Sequence, residues 1–240
     1  MKSIAILSLL IPKLYAFIHT TSTRFNHATT FMSPSANGES KKLLPKAIIF
    51  DLDGCLWTPE MYQILDYMGG RGAPFKRDPH DPLNLLTCAN EPVKLLGDVR
   101  SVFSTIYTEA EFEDILIGIS SRTDEPDWAR ELLSKFKVPL GDGSDKRDHV
   151  YLEQVINGPI EIAYDSKVDH FARIADKCNI GFDEMLFFDN EYGNCRSVAK
   201  LGVSVVYCPD GVTRDLWKMG FHEEFPRSDG TVINGDQRGW

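Results

Sequence analysis

The chain has 240 residues, 42% of them hydrophobic and 25% charged, with a formal net charge of -9. That balance fits one substantial α/β domain with extra sequence at its ends, and an acidic chain without a basic stripe speaks against nucleic-acid binding. The five cysteines, at 55, 88, 178, 195 and 208, are odd in number and form no CxxC, a pattern that suggests neither a disulfide framework nor a zinc site and points to a reducing compartment.

Residues 1–38 hold no Asp or Glu, and their only Lys and Arg are Lys2, Lys13 and Arg24. Lys2 followed by apolar residues 4–10 has the form of a signal peptide, and Pro12 and Lys13 cut it well short of the ~20 apolar residues of a membrane span. Residues 19–35 are rich in Ser and Thr, carry Arg24 and lack acid, like a transit peptide. The tandem resembles the bipartite plastid leaders of algae with secondary plastids. Residues 1–43 are therefore expected to be a targeting leader, plastid-directed; the alternative is an idle tail on a cytoplasmic protein.

The body alternates strand and helix signals, which predicts a doubly wound parallel sheet without a large cap domain. Residues 47–50 are unbroken apolar sequence, as in a strand buried on both faces, and run into Asp51-Leu52-Asp53-Gly54. Alternation aims Asp51 and Asp53 the same way. The pair suits metal binding, nucleophilic attack or proton transfer, although Asp and Gly also make an ordinary turn. Residues 59–91 carry Gly69, Gly70, Gly72, Pro74, Pro79 and Pro82 and predict a small insertion, mostly loop with a hairpin.

Asp98 is expected to cap a helix running to 107, with Val99, Val102, Phe103 and Ile106 on one face. Residues 115–119 predict a second buried strand ending at Ser120-Ser121-Arg122-Thr123, and Asp124 a helix cap with Pro126 in the first turn. A polar loop over 141–148, a short strand over 160–164 and an amphipathic helix over 168–178 follow. Residues 185–188 predict another buried strand, ending at Asp189-Asn190-Glu191. A helix to 201, a strand over 203–207 and a short helix near Trp217 complete the domain, 44–225, leaving 226–240 as a polar tail.

Three buried strands thus end in polar triplets, with a lysine between the second and third: Asp51-x-Asp53, Ser121, Lys167 and Asp189. Phosphoryl transfer needs this mixture, namely a carboxylate to attack phosphorus, fixed positive charge for the phosphoryl oxygens, and oxygen ligands for Mg²⁺.

Here the chain resembles the haloacid dehalogenase-like hydrolases, most closely the magnesium-dependent phosphatase type-one, or acid phosphatase, branch. Phe50-Asp51-Leu52-Asp53, Leu56-Trp57, Ser121-Arg122-Thr123, Ser166-Lys167-Val168 with His170-Phe171, Phe187-Phe188-Asp189 with Asn194, and Leu201-Gly202-Val203 match that branch in order, over residues 46–212. The resemblance implies a Mg²⁺-dependent phosphomonoesterase. Asp51 would be nucleophile and metal ligand. Asp53 would bind metal through its carbonyl and serve as acid, then base. Ser121 would hold the phosphoryl group, with Ser120 as the register alternative. Lys167 would pair with nucleophile and phosphate, and Asp189 would complete the metal site.

Leu52, Arg122 and Trp57 join the expected phosphate- and substrate-binding set, and Asn190, Glu191 and Asn194 the shell supporting the metal. Trp57, Met61, Tyr62 and Tyr67 are candidates for the entrance, with packing as their other role; Arg122 is equally a surface or capping residue. Two positions depart from the branch. Cys55 stands where Thr is usual, for packing or as an oxidisable thiol, and Asn190 replaces a second acid. The implied substrates are sugar phosphates, glycated-amine phosphates or phosphotyrosine. A phosphotransferase or mutase of the same fold and a phosphate-accepting signalling module are the competing readings.

Overall fold

The computed structural model describes residues 43–67, 70–140 and 148–235. The expected leader, Leu43 excepted, most of the 141–148 loop and the last five residues lie outside them.

Six parallel strands form the central sheet. In chain order the strands are β1 (Ala47–Phe50), β2 (Trp57–Thr58), β3 (Lys76–Arg77), β4 (Leu85–Leu86), β5 (Pro92–Leu95), β6 (Leu116–Ser121), β7 (Lys137–Pro139), β8 (His149–Tyr151), β9 (Ile160–Ile162), β10 (Met185–Asp189), β11 (Ser204–Tyr207) and β12 (Val232–Ile233). The helices are α1 (Met61–Tyr67), α2 (Val99–Thr108), α3 (Pro126–Lys135), α4 (Leu152–Val155), α5 (Lys167–Cys178), α6 (Tyr192–Ala199) and α7 (Arg214–Lys218).

The sheet runs β12-β11-β10-β1-β6-β9, every pair parallel. From the centre, β1, β6 and β9 step outward one way and β10, β11 and β12 the other. The order therefore reverses between β1 and β10. In open parallel sheets such a reversal leaves a crevice at the carboxyl ends of the strands, where ligands bind.

Alternation along β1 explains the layers. Ile48 and Phe50 face one apolar cluster, with Val102 and Phe103 of α2, Leu132 of α3 and Trp217 of α7. Ala47 and Ile49 face the other, with Phe171 and Ile174 of α5 and Cys195 and Val198 of α6. Phe50 stacks on Phe188 with ring centroids 5.2 Å apart and meets Phe103 at 5.0 Å and Trp217 at 6.3 Å. That aromatic stack lies directly beneath the carboxyl ends of β1 and β10.

The doubly wound sheet agrees with the sequence expectation. The 59–91 segment is mostly loop with a hairpin, β3-β4, as expected, and it also holds α1. The flanking β2 and β5 join the hairpin in a four-stranded antiparallel sheet ordered β2-β5-β4-β3. Three of those strands have two residues each, too few to leave an alternating pattern. Three local features differ. Asp124 does not cap α3; Glu125 holds that position and Pro126 opens the helix. Asp98 precedes α2 as expected, but its carboxylate accepts the Arg214 N–H at 2.9 Å instead of one from its own helix. Finally, part of the expected polar tail is sheet, because β12 pairs with β11 through Val205↔Val232 and Val206↔Ile233. Among the described residues, no helix is long and apolar enough to cross a membrane.

Truncating the central ring of the stack leaves a void that rigid strands on both sides cannot fill. Phe50→Ala is expected to cost about 3–5 kcal/mol, read as a lower urea midpoint at unchanged slope.

Candidate active site

Asp51 leaves β1 with its N–H still donating to the Phe188 carbonyl at 2.9 Å, so the ladder holds its backbone to β10. The chain then turns sharply: Leu56 N–H reaches back to the Leu52 carbonyl at 2.7 Å, and Gly54 sits at φ +69°. An L-residue is strained at that angle, and any Cβ there would run into the Asn190 amide. The turn presents Asp53, whose carboxylate accepts the Trp57 indole N–H at 2.7 Å and the Met61 N–H at 3.0 Å. Burial pushes the Asp53 carboxyl up to about 7; those two bonds oppose the shift and the Asp51 charge adds to it.

Lys167 arrives from the opposite side of the switch point. Ser166 caps α5, its Oγ accepting the Asp169 N–H at 3.1 Å, and Lys167 is the first helical residue. Its ammonium donates to Asp51 Oδ1 at 2.5 Å and to the Ser120 carbonyl, and lies 3.3 Å from Asp189 Oδ2. Three donors thus meet three acceptors. Burial pulls the lysine pKa down, but the two carboxylates more than offset this and hold it above its ordinary value. Asp189, fully buried, is pushed above the ordinary carboxylate range by burial, which Lys167 only partly relieves. Its Oδ1 accepts the Glu191 N–H at 2.7 Å and its Oδ2 the Asn194 amide at 3.3 Å.

The two serines at the end of β6 divide their roles. Ser120 Oγ is bonded to His170 Nδ1 at 3.0 Å, whereas Ser121 Oγ is buried without a partner. A hydroxyl already committed cannot serve a ligand; the free one is Ser121, the residue expected from the sequence. A cleft of about 310 Å³ opens above these groups, lined by Asp51, Asp53, Lys167, Arg122, Tyr164 and Glu191 among others. The Arg122 guanidinium lies 5.9 Å from the Tyr164 ring centroid and bonds Asn194 Oδ1 at 3.5 Å.

Among the described residues no cluster of three or more His, Cys, Asp or Glu side chains stands in ready metal-ligand geometry. The Asp53 carboxylate is turned to Trp57 and Met61, so a cation here would be held by the Asp51 and Asp189 carboxylates and the Asp53 main-chain carbonyl. That all-oxygen set suits a hard cation that keeps several waters. A further oxygen, Asn190 Oδ1, is buried without a partner, in the side chain that lies against Gly54. The Asp51 and Asp189 carboxylates share the single Lys167 ammonium, which leaves surplus negative charge for a divalent ion to cancel. The residues fit such an ion.

Some expectations need correction. Trp57 is fully buried, stacked on Phe136 at 6.0 Å, and acts by holding Asp53; it is not itself part of the cleft lining. Leu52 is likewise buried and closes the turn through its carbonyl. Met61 and Tyr62 do line the cleft, and the Tyr67 side chain lies outside the described residues. Cys55 is packed at the base of the site, its Sγ 3.5 Å from the Phe188 carbonyl and 3.4 Å from Cys208 Sγ; burial raises its pKa well above normal, the mark of an unreactive thiol. Sequence reasoning missed Glu60, Thr123, Asp124 and Tyr164 as lining residues. Thr123 and Asp124 directly follow the flagged Ser121-Arg122, so the signal was position; Glu60 and Tyr164 carried none.

A family model described as Acid Phosphatase matches residues 43–225. A HAD-like hydrolase superfamily protein of Schizosaccharomyces pombe is 32% identical over 160 residues, 67% of this chain and 83% of the relative. Human magnesium-dependent phosphatase 1 is 28% identical over 181 residues, 74% of this chain and 85% of the relative. The crystal structure of a haloacid dehalogenase-like hydrolase from Xanthomonas campestris superimposes with a TM-score of 0.44 at 12% identity, covering 80% of this chain and 90% of that one. With a strand-end Asp-x-Asp, a free serine hydroxyl, a buried lysine and a last acidic strand end gathered at one switch point, the chain belongs to the acid phosphatase family of haloacid dehalogenase-like hydrolases and is a phosphatase.

Proposed function

We propose that the protein is a Mg²⁺-dependent phosphomonoesterase that works through an aspartyl-phosphate on Asp51. The observation that carries the reading is the Lys167 ammonium, locked 2.5 Å from Asp51 Oδ1 while Asp51 lines the cleft. A carboxylate so held is oriented for attack and cannot swing away. The Mg²⁺, held by Asp51, Asp189 and the Asp53 carbonyl, would supply positive charge to the phosphoryl oxygens.

The steps balance within this chain's residues. Asp51 forms a bond to phosphorus as the ester P–O bond breaks, and Asp53 gives its proton to the departing oxygen. A pKa near 7 suits a group that must donate and then accept. Asp53 then takes a proton from water, whose oxygen attacks the phosphorus of the acyl phosphate, releasing inorganic phosphate and restoring Asp51. Ser121 Oγ hydrogen-bonds the transferring group and the Lys167 ammonium lends it a fixed positive charge, which counts most in the transition state.

The substrates we propose are small phosphate esters such as sugar phosphates, or phosphotyrosine on a protein. The cleft is open enough for either, with Arg122 and the 76% exposed Tyr164 at its edge. A screen of purified protein over phosphate monoesters selects between them.

Asp51→Asn is expected to abolish phosphate release with the fold intact, because an amide does not attack phosphorus; turnover comparable to wild type would sink the assignment. Lys167→Ala is expected to lower kcat by about 10²–10³, the usual effect of losing one preorganised charge contact. Chelation with EDTA should stop turnover and added Mg²⁺ restore it, followed as phosphate released. Gly54→Ala, which strains the turn and displaces Asn190, should weaken Mg²⁺ binding and stability together, measured by Mg²⁺ titration of activity and thermal unfolding.

A further inference from the structure

Ser120 connects two things. Its main-chain carbonyl seats the Lys167 ammonium, and its hydroxyl bonds His170 Nδ1 at 3.0 Å. His170 Nε2 in turn bonds Asp165 Oδ1, and Arg173 Nη1 donates to Asp165 Oδ2 at 2.8 Å. The order Ser–His–Asp is that of a hydrolytic triad, but Ser120 and His170 are both fully buried and neither lines the cleft, so the serine is no nucleophile.

The proton positions follow from chemistry. The Arg173 hydrogen bond holds the Asp165 carboxyl below its ordinary range, so Asp165 only accepts and Nε2 carries the proton. Burial holds His170 below the ordinary histidine range against the pull of Asp165, with Lys167 and Arg173 on the same side of the balance. A neutral ring protonated at Nε2 leaves Nδ1 an acceptor, so the Ser120 hydroxyl donates to it and points away from Ser121's site. His170 lies three residues after Lys167, on the same face of α5. The first turn of that helix therefore grips the end of β6 twice, by the carbonyl and by the hydroxyl of one residue.

We infer that His170, steadied by Asp165, is a positioning residue for the reaction: it fixes the Ser120 carbonyl that seats Lys167 and the backbone that presents Ser121. The inference rests on the phosphatase reading above. Imidazole suits the place because it accepts at one nitrogen while donating at the other. Phenylalanine would fill the space and make neither bond.

The test uses full-length protein, p-nitrophenyl phosphate and Mg²⁺, with circular dichroism to confirm folding. His170→Phe is expected to lower kcat by about 10²-fold, the scale of a misplacement near 1 Å, with KM little changed. His170→Asn, whose amide oxygen can accept from Ser120, should recover most of that loss. Ser120→Ala should lower kcat in the same direction, and the Ser120→Ala/His170→Phe pair should be no worse than the poorer single variant, since both cut one connection. A His170→Phe kcat within about twofold of wild type, or losses that multiply in the pair, would overturn the inference. Should His170→Phe not fold, Ser120→Ala decides: full kcat there is equally fatal. A wild type without turnover overturns the phosphatase reading itself, whereas an active wild type with an indifferent His170 overturns only the positioning role.

Discussion

The site is organised by one buried cation. Lys167 keeps a full charge while almost wholly buried, and that is tolerable only because each of its hydrogens finds an oxygen: Asp51, Asp189 and the Ser120 carbonyl. Taking such charges out of water costs several kcal/mol per ion before their attraction is counted. The arrangement is therefore weak as a source of stability. Its effect is geometric, since it ties the ends of β1, β6 and β10 to the start of α5 at a single point.

The sheet makes that point available. Strand order reverses between β1 and β10, so no crossover helix covers their carboxyl ends there. Asp51 and Asp189 are neighbours across the reversal, and Lys167 enters from the first turn of α5. Beneath them the Phe50, Phe188 and Trp217 rings supply a rigid apolar floor. Polar groups at the rim thus stand on a base that cannot shift without losing aromatic packing.

Much of this was legible in the sequence, for physical reasons. Buried parallel strands are short apolar runs, and 47–50, 115–119 and 185–188 announced themselves together with the polar residues where each run stops. Asp51, Ser121 and Asp189 were found because chemistry clusters at strand ends, and Lys167 through the resemblance carried by Ser166-Lys167-Val168. What stayed hidden depends on pairing and not on pattern. The two-residue strands of the insertion have no period to read. Trp57 beside an Asp-x-Asp reads as an entrance or a packing residue, and only its ring inside and its N–H on Asp53 decide for packing. The bonds from Ser120 through His170 to Asp165 join residues up to fifty positions apart, and no local signal announces them.

The family match ends at residue 225, yet the sheet does not, because Val232 and Ile233 lie alongside Val205 and Val206. A version of the protein cut at that family boundary would bare the outer edge of β11, a fully buried valine-rich strand with its peptide groups unpaired. Such an edge is a template for another chain's backbone. The short β12 thus works as a cover for that edge, and trimming it away at a tidy family limit would invite fibrous or insoluble material from a domain whose chemistry is untouched.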